Sequence, residues 1–411
     1  MSTATCCSSQ ARVIVTATRS LHTAPRPAPF AGLRRANVLD KDVAACPAQQ
    51  LRARAATRGA APAAARSVTV MSAAVVPKKV LMLGGTRFIG VYLARQLIEQ
   101  GHEVTLLTRG KKPVTYRIPD DTDESFAKFE SSVKHIACDR TDAEAMKSQL
   151  AGKGFQVVYD INGREAAECE VVLEAVGDIE QYIFCSSAGV YMKSDQMPHR
   201  EEDEVDFKSR HKGKLFTEEL LSKRGVNWTS VRPVYIYGPL NYNPVEEFFF
   251  HRLKAGRPIF VPGTGMQASR QPVTQLGHVK DLATAFVKIL GNPKAANQVY
   301  NVAGDRFVTF DGIAKACAQA MGVPEPELIH YNPKDFDFGK SKAFPMRDQH
   351  FFASVDKAQA DLDWTPEFGL IDGLTDSYQK DFGRGTFRKE PDFTADDMIM
   401  ERLKGKASVM A

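Results

Sequence analysis

Seven consecutive residues, Lys208-Ser209-Arg210-His211-Lys212-Gly213-Lys214, hold four cations and a histidine. Cations packed this densely suit phosphate oxygens, and phosphate contacts supply most of the sequence-independent affinity of proteins for nucleic acid. The same stretch also reads as a solvated helix start, balanced by Glu201, Glu202, Asp203 and Glu204. His211 adds a group able to trade a proton near neutral pH, so it could act as a base on a phosphodiester while Lys214 stabilises the phosphorane charge. A second route to the same chemistry is a divalent ion such as Mg²⁺. Asp139, Asp142 and Asp160 lie at the ends of expected strands, where carboxylates could hold an ion that activates water. A third feature is the turn Gly84-Gly85-Thr86-Arg87-Phe88-Ile89-Gly90. Glycines at this spacing turn a strand tightly into a helix whose N-terminus seats a pyrophosphate. The first and third glycines, Gly84 and Gly90, are present, but the middle position is Arg87. About 20 residues on, where a ribose-binding acid is expected, the chain reads Thr108-Arg109. An arginine there suits a 2′-phosphate, which favours NADP over NAD; alternatively Arg87 and Arg109 both meet RNA phosphates.

These residues need a scaffold that brings strand ends together. Short apolar runs at Val80–Leu83, Glu103–Thr108, Lys134–Cys138, Gln156–Asp160, Gln181–Ser186 and Asn227–Tyr237 alternate with helical stretches, one over Phe88–Gln100 and another ending near Gly177. Repeated βα units predict an α/β fold, a Rossmann-type doubly wound parallel sheet with helices on both faces. Residues 78–240 are expected to form this domain. Residues 241–411 are expected to form a smaller, interleaved C-terminal α/β domain, with Rossmann elements returning near 278–304. Lys340, Lys342 and Arg347, interleaved with Phe338, Phe344 and Phe351, form a second candidate surface on which cations hold phosphates and aromatics stack bases; the alternative is a packed C-terminal core.

The first 72 residues differ from the rest. They hold nine Arg, one Lys, 18 Ala and two acids, Asp40 and Asp42, with no sustained period. That composition is the pattern of an organelle transit peptide, with cleavage expected between about residues 65 and 74. Setting these residues aside takes the formal charge from +5 to −3, so nucleic-acid binding needs a local patch and not a global field. Cys138, Cys169, Cys185 and Cys317 lack metal-type spacing and read as core residues. No apolar run reaches the roughly 18 residues needed to span a membrane.

Four segments in order, GGTRFIG at 84–90, SSAGVY at 186–191, RPVYIYGP at 232–239 and HVKDLATAF at 278–286, with QVYNVAG at 298–304, resemble the extended short-chain dehydrogenase/reductase family of epimerases and dehydratases. The resemblance implies a catalytic Ser, Tyr and Lys. Ser187 and Lys214 match the first and last, but Arg210 stands at the tyrosine position. A guanidinium has no acceptor and stays protonated, so it cannot replace the phenol as a base; His211, three residues before Lys214, is the stand-in. The family likeness also makes Asp139 a candidate adenine contact, or else a helix N-cap.

The strings SRHKGKL at 209–215, RPVYIYGPLNYNPVEEFFFHRLKAGRP at 232–258, FPMRDQHFFAS at 344–354 and DFGRGTFRKE at 381–390 are similar to one branch of that family, the plastid stem-loop-binding proteins. That resemblance implies a chloroplast stromal protein that binds structured RNA through Lys208, Arg210, Lys212 and Lys214 and acts as an endoribonuclease. It implies partners among plastid ribosomes, pre-ribosomal particles or transcription complexes, and a homo- or hetero-oligomer with a related member. Two other readings stay open: an NADP-dependent epimerase, dehydratase or reductase on a nucleotide sugar, and a non-catalytic scaffold. One segment departs from the pattern, a longer connection between Gly265 and His278.

Overall fold

The computed structural model describes residues 76–263, 272–339, 341, 343–386 and 388–410, with side chains to 404. The expected transit peptide, Lys340, Lys342 and most of the long connection after Gly265 lie outside the described residues.

The chain runs β1 (Lys79–Leu83), α1 (Ile89–Glu99), β2 (Glu103–Thr108), α2 (Asp123–Ser132), β3 (Lys134–Ala137), α3 (Ala143–Leu150), β4 (Val157–Asp160), α4 (Ala166–Val176), β5 (Gln181–Cys185), α5 (Lys212–Lys223), β6 (Trp228–Pro233), β7 (Tyr235–Tyr237), α6 (Glu246–Lys254), β8 (Ile259–Pro262), β9 (Val273–His278), α7 (Val279–Ile289), β10 (Gln298–Val302), β11 (Phe307–Thr309), α8 (Phe310–Met321), β12 (Leu328–Tyr331), α9 (Asp356–Leu362), α10 (Leu370–Lys380) and α11 (Thr394–Met410). Seven strands form one parallel sheet in the order β10-β6-β5-β4-β1-β2-β3. Strands buried on both faces read as continuous apolar runs, which is why Val80–Leu83 carries no polar alternation. Side chains alternate faces along a strand. Val80 and Met82 pack with α1 and α7 on one side, while Leu81 and Leu83 pack with α3, α4 and α5 on the other.

The chain winds outward from β1 through β2 and β3, then returns to β4 on the opposite side of β1. Crevices open at such switch points, beyond the carboxyl ends of the strands. Helix ends follow their local chemistry. Gly101 (φ +89°) follows α1, and Gly177 (φ +73°) caps α4 in a conformation that strains other residues. The expected strand over Asn227–Tyr237 divides: β6 stays in the large sheet, whereas β7 joins β9 and β11 in a separate three-stranded sheet. Pro233, with no N–H to donate, ends β6 where the chain changes sheets. A two-stranded pair, β8 with β12, completes the smaller sheets, and helices α6, α8 and α10 close a second core around Phe249, Phe250 and Phe310.

Within the glycine turn, the reason for each glycine is steric. A Cβ on Gly90 would lie 2.3 Å from the Gly84 carbonyl oxygen and 2.8 Å from Gly85 Cα. Both are backbone atoms with no rotamer to give. Gly90→Ala is therefore expected to lower stability by about 1–3 kcal/mol, the usual cost of overpacking, read as a drop in urea midpoint. Gly263→Ala, whose added Cβ meets nothing within 4 Å, should leave the midpoint nearly unchanged. Equal midpoints for the two variants would show that the turn can open to admit a side chain.

Candidate functional site

A cleft of about 1040 Å³ opens over the switch point. Its floor is the ends of β1, β2 and β4, and its walls are the glycine turn, the segment after β3 and the start of α5. Eight cationic side chains line it, Arg87, Arg109, Lys111, Lys112, Arg140, Arg164, Arg210 and Lys214, against three carboxylates, Asp139, Glu165 and Glu168. Arg87 and Arg109 are exposed.

The deepest charged group is Asp160, fully buried at the end of β4. Arg140 grips it with both terminal nitrogens at 2.7 Å, and it accepts further bonds from Tyr182 Oη (2.9 Å) and the Gly163 amide (2.8 Å). Burial alone would raise the Asp160 pKa; Arg140 and these donors hold it below the usual carboxylate range. Arg140 also reaches Asn162 Oδ1 at 2.9 Å. Nothing in the local sequence singled out Arg140, because its partner is 20 residues away on another strand. A cation shortly after the end of β3 was the signal available.

The three metal candidates do not converge. Asp160 is committed to Arg140. Asp139 folds back onto Thr141, accepting from its amide (3.1 Å) and hydroxyl (2.9 Å), and Asp142 caps α3 by accepting from the Ala145 amide (3.0 Å). Asp142, and not Asp139, is thus the helix cap. Among the described residues no three His, Cys, Asp or Glu side chains gather at a metal's reach. These residues do not fit a shared Mg²⁺, because strand-end carboxylates were taken up by a buried cation and by local turns.

The cationic stretch is not one surface. Arg210 and His211 lie in the turn ahead of α5, which begins at Lys212. Gly213 explains the start of the helix: a Cβ there would lie 2.3 Å from the Arg164 carbonyl oxygen. This close approach lets Lys214 enter the cleft, where Nζ donates to the carbonyls of Gly163 (3.0 Å) and Cys185. Burial lowers the Lys214 pKa. Arg210 and His211 line the same cleft, while Lys208 and Lys212 are exposed outside that lining. Arg210 Nε donates to His211 Nε2 at 3.0 Å. An arginine only donates, so this nitrogen carries the imidazole lone pair. Burial first, then the charges of Arg210, Arg347 and Lys214, push the His211 pKa down to about 4. Ser187 starts a short 3₁₀ turn and accepts from the Gly189 amide at 3.1 Å. It is not part of the cleft lining.

The second candidate surface does not form as expected. Phe344 and Phe351 are buried, so neither can stack a base. Phe338 stacks on Phe336 at 5.4 Å. Arg347 lies over Phe351 at 4.7 Å and approaches the place where a Gly189 Cβ would be, beside His211. Cys138, Cys169, Cys185 and Cys317 are free and buried.

The cleft fits the phosphates of a dinucleotide. Its glycine turn is intact at Gly84 and Gly90, and Arg109, Lys111 and Lys112 follow β2, where a 2′-phosphate would be met.

Residues 80–303 match the NAD dependent epimerase/dehydratase family. The chain is 65% identical over 325 residues to the chloroplast stem-loop binding protein of 41 kDa b of Arabidopsis thaliana, covering 79% of this chain and 85% of that protein. A spore coat polysaccharide biosynthesis protein of Bacillus subtilis is 26% identical over 249 residues, 60% of this chain and 80% of its own length. Among solved structures, the UDP-glucose 4-epimerase of Bifidobacterium longum in complex with NAD+ and UDP aligns with a TM-score of 0.60 at 20% identity, covering 75% of this chain and 99% of that one. That likeness speaks for the fold alone. A family match over more than half of the chain, and a relative this close, carry one conclusion: the chain belongs to the NAD dependent epimerase/dehydratase family.

Proposed function

We propose that this protein binds structured RNA in the chloroplast, holds its phosphate backbone in the cationic cleft, and cleaves it with His211 as the base. The observation that carries the reading is the cleft lining, eight cations against three carboxylates, in a chain whose residues 73–411 are net negative. The stem-loop binding named for the Arabidopsis relative supplies the class of ligand, and its chloroplast assignment supplies the compartment. Residues 1–72 act as the transit peptide and deliver the protein to the stroma. Lys208 and Lys212 add outer contacts beyond the cleft.

Cleavage follows from the same charges. In the ground state Arg210 covers the His211 lone pair. A phosphodiester drawn among Arg210, Arg347 and Lys214 would offset the charges that depress the imidazole and pull Arg210 onto its oxygens. His211 is then free to take the proton of a ribose 2′-hydroxyl, whose oxygen attacks the adjacent phosphorus. The P–O5′ bond breaks, leaving a 2′,3′-cyclic phosphate and a 5′-oxygen that takes a proton from imidazolium or water. Lys214 and the arginines stabilise the developing charge.

A second reading is favoured by the retained Gly84 and Gly90 of the glycine turn and by the cations after β2. Gly84, Gly90, Arg87, Arg109, Lys111 and Lys112 would hold NADP, which supplies hydride transfer when bound. Ser187 and Lys214 remain for a sugar substrate, but Arg210 offers no acceptor for its proton.

Replacing Arg109, Lys111 and Arg210 together by Gln is expected to weaken stem-loop RNA across sequences and flatten the salt dependence by about 0.9 for each lost duplex phosphate contact. The Lys208→Gln, Lys212→Gln pair should change both far less. Unchanged affinity and slope in the triple variant, with the fold intact, would move RNA off the cleft. His211→Gln should lower cleavage by about 10²–10⁴-fold while retaining binding. Because His211 in the free protein is neutral above about pH 4, the wild-type kcat/KM should stay level from neutral pH down to weakly acid pH and fall only as pH approaches that value. Full cleavage by the variant, or cleavage abolished by a chelator alone, would put the chemistry elsewhere. For the second reading, calorimetry should find NADP at least about tenfold tighter than NAD, the worth of one charge-assisted bond. Equal affinities would remove Arg109 as the 2′-phosphate contact.

A further inference from the structure

A second pocket of about 480 Å³ adjoins the main cleft, within the roughly 300–1,000 Å³ typical of small-ligand sites. Four separated segments build it: the glycine turn with Arg87 and Phe88, the stretch after β2 with Lys112, the string following β7 with Leu240 and Tyr242, and the string following α10 with Arg388. Arg87, Phe88, Lys112 and Tyr242 line both cavities, so the two adjoin. The binding and cleavage steps above leave Tyr242 and Arg388 without a role.

Tyr242 is 60% exposed, and its ring meets Phe88 edge to face at 6.3 Å. A large aromatic held beside a neighbour and left open to solvent is a stacking platform. The backbone around it is strained. Phe88 (φ +45°) and Leu240 (φ +66°) adopt left-handed conformations that bulky L residues rarely take. The other non-glycine residues of this kind, Asn297 and Asp363, are of the short polar type that tolerates it. Both strained apolar residues flank Tyr242, and strain of this kind concentrates at ligand clamps. The walls are fixed as well. Arg388 donates from Nε to the Asn241 carbonyl (2.7 Å), from Nη2 to Asp381 (2.8 Å) and from Nη1 to the Thr386 carbonyl (3.1 Å), while the Glu247 carboxylate holds its amide at 3.1 Å. Leu240 is pinned through its amide to Asp381 at 3.0 Å. Arg388 is therefore a rigid wall with part of its charge already met, and Arg87 and Lys112 are the exposed cations at the opening.

A flat aromatic ring, two exposed cations and a cavity adjoining the cationic cleft match one ligand chemistry. We propose that this pocket takes a single unpaired nucleobase from an RNA loop, stacked on Tyr242, with the phosphate that leads back to the main cleft held by Arg87 and Lys112. The proposal rests on the RNA reading of that cleft. It explains how a protein with general phosphate contacts would prefer a stem-loop to a plain duplex: a paired base cannot leave its stack without cost, whereas a loop base is already free to enter.

The test uses the full chain with two probes, a hairpin carrying 2-aminopurine in its loop and a fully paired duplex of the same stem. Tyr242→Ala should weaken the hairpin by about 5- to 100-fold, the worth of one base–aromatic stack, and remove the fluorescence change of the loop base. Duplex affinity and salt slope should stay unchanged. Tyr242→Phe should keep hairpin binding and the fluorescence change. Hairpin binding that survives Tyr242→Ala, or equal losses on hairpin and duplex, would overturn the pocket's role. The Arg109, Lys111, Arg210 variant separates the two readings. If it weakens both probes while Tyr242→Ala weakens neither, the cleft reading stands without the pocket. If neither variant weakens either probe, both readings fall. Thermal melting of Tyr242→Ala within a few degrees of wild type shows that the fold is retained, since the ring is mostly solvent-exposed.

Discussion

The mouth of the sheet depends on how one buried carboxylate is satisfied. Asp160 cannot stay charged out of water unless paired, and breaking such a pair costs about 3–5 kcal/mol. The Arg140 fork, the Tyr182 hydroxyl and the Gly163 amide meet that need. Each of those partners then constrains something else. Gly163 must be glycine, since a Cβ there would lie 2.4 Å from Asp160 Oδ2. Its carbonyl in turn anchors Lys214, and Lys214 bridges onward to the end of β5. Asn162, between them, packs against Gly84 of the turn. One ion pair thus ties the glycine turn, the end of β4 and the start of α5 into a single floor.

That floor also decides the sign of the cleft. Arg140 is largely spent on Asp160, and Lys214 is sunk among carbonyls. The rim is another matter. Arg87, Arg109, Lys111, Lys112, Arg164 and Arg210 face the opening with only Asp139, Glu165 and Glu168 near them. A family built to move hydride and protons at this place relies on a phenol that can give and take a proton. Here a guanidinium stands at that position and instead donates to a histidine. The scaffold is that of the NAD dependent epimerase/dehydratase family, and the mouth of its cleft carries an excess of cations.

The fold was legible because its signals are local. Apolar runs of four to six residues, helices closed by Gly101 and Gly177, and the glycine turn each reveal themselves within a few residues. The split of β6 from β7 at Pro233 was marked by the proline but not weighed. The site was legible in part. Arg87, Arg109, Arg210, His211 and Lys214 were picked out by their place in motifs, and all five line the cleft. Arg140, Arg164 and Tyr242 were missed, because their meaning lies in neighbours brought together only by the order of strands. Asp139, Asp142 and Asp160 misled for the opposite reason. Acids at strand ends look free in a sequence, and only the fold shows which cation or amide has claimed them. The run from Lys208 to Lys214 read as a block, but a turn followed by a helix sends its side chains in different directions.

Charge distribution carries the last step. The cleft lining has a formal charge of +5, while residues 73–411 as a whole carry −3, so everything outside the cleft sums to −8. At physiological ionic strength the Debye length is about 8 Å. Within that range of the cleft an anion meets a local excess of positive charge that the chain as a whole does not have. A uniformly basic protein would hold RNA in many orientations. On the RNA reading, this arrangement would present a phosphate backbone to one place, the cleft lined by Arg210 and His211, with Tyr242 shared with the adjoining pocket. On that reading the negative remainder would add to specificity, because it disfavours poses that set the phosphates against carboxylates.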